Sequence, residues 1–340
     1  MIDWSARIDD LCAKLARDYG VDDRLAVEVL LAALAPCPRT GQSWLILETN
    51  WHARQLLNAW FSLGESWVPC SLPRIRARFP WREIEAETKE MLDSGNEQLL
   101  IEPDYERYPC WNRNTQTQYI LQRSLRIRVR SNRSADAIRS LDYRQEERMT
   151  EELNTLARAV LEDRTQSRPA NPPKFREPHN FLYHCELIER MAPWYSDWHT
   201  LLRAFGWLAV RHAYLFGREY TDEEDDLAIA RVAMDSIPPW ITKALRLLLE
   251  SDSKALTVYN IMGLEEWSHR TQHGAHREIR RLRVKRIVEW HRHKLEWGIS
   301  KNVREGVSDI LSGRAFGATP AIEKRANAHL PIVKNFSRTG

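Results

Sequence analysis

The densest chemistry in this chain is cationic. Between Ser268 and Lys294 stand nine Lys or Arg residues, at 270, 277, 280, 281, 283, 285, 286, 292 and 294, against two acids, Glu278 and Glu289. Such segregation suits phosphate neutralisation, because each contact releases condensed counterions and makes binding steeply salt-dependent. The bland alternative is a solvated charged face, or a surface for protein. His269, His273 and His276 in the same stretch fall at i, i+4 and i+7, a spacing that can turn imidazoles to one side of a helix for zinc. The flanking arginines would repel a dication, so solvated or phosphate-facing histidines are expected there, and no metal. His184-Cys185-Glu186, near His179, has the residue types of a metal site or a thiolate nucleophile, but packing is the simpler expectation. His212 lies on an apolar helical stripe and reads as a hydrogen-bonded core histidine. Arg126, Arg128 and Arg130, extended by Arg133, alternate along a strand; they form either a second nucleic-acid contact or the ordinary polar outer face of a sheet.

These residues sit on elements that periodicity makes legible. Ile8, Leu11, Cys12 and Leu15 describe an amphipathic helix over Trp4 to Tyr19 with Gly20 as its stop, and a second helix covers about Asp22 to Ala35. Trp44 to Leu47 is a short buried strand, followed by a helix over Trp51 to Phe61. Tyr119 to Arg130 alternates with period two, a half-buried strand with a basic outer row, and Ser134 to Asp163 is helical. Pro169, Pro172, Pro173 and Pro178 make Thr165 to Asn180 an interdomain linker. Helices follow over Trp198 to Phe216, with a Gly217 stop, and over Asp222 to about Ser236, opened by a capping box Thr221-Asp-Glu-Glu224.

From Pro238 to Ser300 the order is helix (Trp240 to Glu250, striped by Ile241, Leu245, Leu248 and Leu249), short helix (capped by Thr257, carrying Ile261), and third helix over about Thr271 to Arg283. Ala275, Ile279 and Leu282 must face the core, which turns His273, Arg277, Arg280 and Arg281 outward. Ile287 to Trp290 and Lys294 to Trp297 then make a hairpin, with Trp290 and Trp297 either stacking on bases or holding the strands together. Leu256-Thr257-x3-Ile261, Ile279-x2-Leu282 and Ile287-Val288 resemble the pattern of winged-helix DNA-binding domains. That resemblance implies a third helix in the major groove with His273, Arg277 and Arg280 nearest the bases, while Arg281, Arg292 and Lys294 hold phosphates; Arg283 and Lys285 belong to the same surface. Upstream, Ala209-x2-His212-Ala213, Arg218-Glu219-x-Thr221-x-Glu223-Glu224-Asp225 and Ala230 resemble the helical lid of AAA+ ATPases of the minichromosome-maintenance type.

A working ATPase of that kind needs a glycine-rich loop ending in Gly-Lys-Ser/Thr after an early strand. The nearest string, Pro36-Cys-Pro-Arg-Thr-Gly41-Gln42-Ser43, has proline for the first glycine and glutamine for the lysine, and it precedes its strand. Where such a lid offers arginine to the nucleotide stand His199 or Thr200. No catalytic role and no cofactor are therefore expected. In 340 residues with 50 basic and 47 acidic side chains, net +3, charge is a matter of local clusters. Five cysteines without a CxxC pair argue against a disulfide framework, and neither a membrane span nor an export signal is visible, so the cytoplasm is the expected location.

The expected fold is α+β and mainly helical: an N-terminal α/β domain over 1–164, a Pro-rich linker over 165–180, a lid-like helical segment over 181–237, a winged helix-turn-helix over 238–300 and a partly flexible extension over 301–340. The expected function is non-enzymatic binding of double-stranded DNA, by a regulator or a replication or maintenance factor of a mobile element. The competing readings are a scaffold subunit of a larger nucleoprotein assembly whose winged helix docks on protein, and an ATPase with a cryptic nucleotide site; a protein partner or a homo-oligomer is compatible with DNA binding.

Overall fold

α1 (Trp4–Tyr19) is held by its apolar stripe: Ile8, Leu11 and Leu15 are fully buried, and Gly20 ends the helix at φ 67. α2 (Arg24–Leu34) starts where the Asp23 carboxylate accepts from the Ala26 N–H at 3.1 Å. Its run from Ala26 to Ala32 is buried almost throughout, as an apolar helix between other elements must be. The computed structural model describes residues 4–34, 44–49, 70–71, 99–103, 124–129, 171–250, 272–291 and 296–318, with isolated helical positions between 144 and 159. The expected helix over 51–61, the phosphate-loop-like string 36–43, Thr257 and Ile261 lie outside the described residues.

Four strands, β1 (Trp44–Thr49), β2 (Cys70–Ser71), β3 (Leu99–Pro103) and β4 (Ser124–Val129), form a parallel sheet in the order β2-β3-β1-β4. β1 pairs with β3 on one side (Leu45↔Leu99) and with β4 on the other (Leu45↔Leu125). Parallel sheets are covered on both faces, and β4 obeys the rule against the expectation from its alternation. Arg126 is 2% exposed, with its guanidinium 3.9 Å above the Trp194 ring. Arg128 donates to the Ile237 carbonyl at 2.6 Å and faces Asp235. The predicted basic outer row is thus an interior row, roofed by helices that the period of the strand could not announce. Arg130 lies outside the described residues.

Three helices follow, α3 (Phe181–Met191), α4 (Trp198–Leu215) and α5 (Glu223–Asp235); α4 and α5 pack on β4, and the connection from α3 to α4 brings Trp194 over Arg126. The end of α5 also closes the open edge of β4: Ser236 Oγ accepts from the Arg126 N–H (3.1 Å) and Asp235 Oδ2 from the Arg128 N–H (2.9 Å). Side chains thereby satisfy edge donors that would otherwise recruit another strand. The capping box of α5 is Asp222 with Asp225, one residue beyond the expected Thr221; Thr221 Oγ1 instead accepts from the Arg176 N–H at 2.8 Å. Residues 171–180 of the expected linker are tied down by a parallel bridge between Lys174 and Tyr220 and by ring contact of Phe175 with Phe181 at 5.3 Å. One contiguous buried cluster runs from Ile8 to Ala318, so the core continues across that segment.

Beyond α5 come α6 (Pro239–Glu250), α7 (Gln272–Val284), the antiparallel strands β5 (Val288–His291) and β6 (Glu296–Ile299), and α8 (Arg304–Leu311). The extension is firmer than expected over Ser312 to Ala318. Phe316 is fully buried among Phe181, His184 and Phe205, and its N–H donates to His184 Nδ1 at 3.0 Å. The described residues are mainly helical with a small sheet, and none of their helices is long and apolar enough to cross a membrane.

Candidate nucleic-acid interface

α7 divides its residues as its spacing dictates. Ala275, Ile279 and Leu282 are buried, and His276, Arg277, Arg280, Arg283 and Val284 are exposed. Arg277, Arg280 and Arg283 have no ion-pair partner among the described residues. His273 lies in the same helix; its side chain, and Arg292 and Lys294, lie outside the described residues.

Two other cations of the predicted surface are engaged within the chain, and this corrects their assignment. Arg281 pairs with Glu278 (3.1 Å) and donates to the carbonyls of Arg190 (3.1 Å) and Met191 (2.5 Å) at the end of α3. Arg190, in turn, donates to the carbonyls of Lys285 (2.7 Å) and Arg286 (2.9 Å) just past α7. Each helix therefore finishes on an arginine from the other, which satisfies orphan carbonyls and sets positive charge against both negative dipole ends. The Lys285 ammonium bonds to the Glu189 carboxylate beside this clasp. Arg281 and Lys285 fix the helix in place, and their charge is answered before any ligand arrives. No spacing along α7 distinguishes them from Arg277 or Arg280; the difference is what α3 brings to that side.

The hairpin follows α7 directly. Trp290 and Trp297 face each other across it as a register pair, ring centroids 5.1 Å apart and nearly edge to face, which is the strand-holding role of the two that were expected.

The other candidate groups are structural. Burial, with a smaller contribution from His179, lowers His184 to about 4, so its neutral ring is the acceptor that Phe316 needs. Burial pushes the Cys185 thiol far up, away from nucleophilic thiolate character. His212 is 1% exposed, hydrogen-bonded to Asp225 at 2.7 Å and 3.8 Å from Glu28. Burial alone would lower its pKa, but the two carboxylates prevail and raise it to about 9. Glu28 also holds Arg24 at 2.7 Å and Asp225 holds Arg218 at 2.5 Å, so a buried charge chain stitches α2, α4 and α5 together. His199 and Thr200, at the expected nucleotide-arginine position, serve the start of α4: His199 stacks on Trp198 at 3.6 Å and Thr200 bonds to Asp197 at 2.9 Å. Among the described residues no group of three or more His, Cys, Asp or Glu could hold a metal ion.

No protein-family model matches the chain and no curated protein matches it in sequence, so its functional reading rests on its own geometry.

Proposed function

We propose that this protein binds double-stranded DNA without catalysing a reaction on it, through a winged-helix module in which α7 and the β5–β6 hairpin meet the duplex. The observation that carries the reading is the unanswered charge of Arg277, Arg280 and Arg283 on a helix whose opposite face is core. Exposed guanidinium groups with no carboxylate partner release counterions on meeting phosphates, which is where the free energy of such complexes largely arises. The test is fluorescence anisotropy with a labelled duplex. Arg277→Ala together with Arg280→Ala removes most binding while circular dichroism stays unchanged; wild-type affinity in that variant refutes the reading. A phosphate-release assay with DNA present reads no turnover.

One observation favours docking on protein instead. Val284, at the end of α7, is 75% exposed, an apolar side chain beside the arginines. Size-exclusion chromatography separates the two: a larger species that forms without DNA and persists in high salt belongs to protein contact, since phosphate contacts weaken there.

A further inference from the structure

We infer that Arg277, Arg280, Arg283 and Arg286 form a single ridge that grips a DNA phosphate strand without reading its bases, and that Arg286 occupies a helix-ending position suited to glycine in order to extend it. This inference rests on the reading of α7 as a duplex contact.

The spacing comes first. The four arginines recur every third residue, and the three within the helix span about 9 Å along its axis. Arg277, Arg280 and Arg283 follow the i±3 ridge, which runs obliquely over the surface, with Arg286 just past its end, and one DNA strand offers a phosphate about every 3.4 Å of duplex axis. Beside the arginines, the exposed side chains of α7 among the described residues are His276 and Val284, neither of which carries an amide or hydroxyl to discriminate adenine or cytosine edges. A face made of cations fits phosphates, which position a protein and carry no sequence.

Arg286 supplies the second, independent observation. The end of α7 is a Schellman motif: Ile287 N–H donates to Leu282 O at 2.9 Å and Arg286 N–H to Arg283 O at 2.9 Å, with Arg286 left-handed at φ 56. The same two bonds close α4, where the left-handed residue is Gly217 (φ 71), and α8, where it is Gly313 (φ 73). Glycine takes that conformation freely, and a residue with a Cβ does not. Only at α7 does this motif carry a long cationic side chain among the described residues, and that side chain is exposed with no partner among them. Strain kept at a surface position with a free charge points to use of the charge. The clasp explains how the strained residue is held, because Arg190 bonds its carbonyl.

The experiment pairs Arg286→Gly with Arg286→Lys in the full chain. Duplex affinity is measured against salt on two duplexes of unrelated sequence, and each variant is melted. Arg286→Gly is expected to melt about 1–3 °C higher than wild type, because the strain is relieved. Its slope of log affinity against log salt becomes shallower by about 0.9 and its affinity falls several-fold, equally on both duplexes. Arg286→Lys keeps the wild-type slope. An unchanged slope in Arg286→Gly, or a lower melting temperature, overturns the inference. So does a hundredfold preference of wild type for one duplex, which means base reading. Absence of wild-type binding to either duplex overturns the functional proposal itself, and the inference with it.

Discussion

Arg126 and Arg128 on β4 and Arg277 and Arg280 on α7 are the same residue type, placed at the regular spacing of their elements. They end in opposite environments. On β4 the guanidinium groups lie under Trp194 and against Asp235 and Ile237, inside the contact between sheet and helices. On α7 they stand in solvent without a partner among the described residues. A strand of a parallel sheet has two faces to cover, so even its polar row is taken inward and must be answered by charge. A peripheral helix covers one stripe and leaves the rest free. Arginine on the first kind of element is structure; on the second it is available for a ligand wherever no neighbour takes it up, as α3 takes up Arg281.

Removing an answering charge in the buried region breaks the comparison most severely. Asp235 accepts from the Arg128 N–H and pairs with Arg231 at 3.0 Å, so Asp235→Ala leaves a sheet-edge donor unbonded and removes a buried carboxylate from Arg231 and Arg128, which retain Asp23 at 2.7 Å and the Ile237 carbonyl at 2.6 Å. The expected loss is about 3–5 kcal/mol in urea denaturation, and a loss below about 1 kcal/mol would mean that the interior row is hydrated after all.

Titration of the same interior gives the next largest effect. With His212 raised from 6.5 to about 9, its contribution to stability is complete below pH 6.5 and is lost as pH rises through about 9. Glu28 and Asp225, held below their ordinary values by His212 and their arginines against the opposing effect of burial, lose theirs only as pH falls into the acid range. The melting temperature should therefore decline between pH 7 and 9.5, and His212→Gln should start lower and flatten that decline. Arg277→Ala should keep the wild-type profile.

Arg281→Ala sharpens the comparison within one helix. It leaves the Arg190 and Met191 carbonyls without their donor and should cost about 1–3 kcal/mol, while the salt slope of DNA binding stays as in wild type. Arg283→Ala is the reverse case, with stability within about 0.5 kcal/mol of wild type and a shallower slope. Equal slopes in the two variants would erase the distinction between clasp and ridge.

Much of α7 and of the hairpin was legible in advance because both are local. Ala275, Ile279 and Leu282 mark a core stripe from spacing alone, and the outward arginines follow from the geometry of one helix. The left-handed turn at Arg286 was not legible, since its residue type speaks against it. Nor was the clasp, whose partners Arg190 and Arg281 lie 91 residues apart. The packed Phe316 turn was hidden among small and polar neighbours that read as a mobile tail, although its aromatic ring was the one signal for docking.

Period and residue type alone determined which stripe of each helix is apolar, where α1 and α4 stop, and where positive charge is concentrated, because these depend on neighbours a few residues away. Only the tertiary structure decided which of those charges remain free. Whether a guanidinium meets solvent, a ring or a carboxylate depends on which distant element lies over it, and that is set by the packing of the whole core.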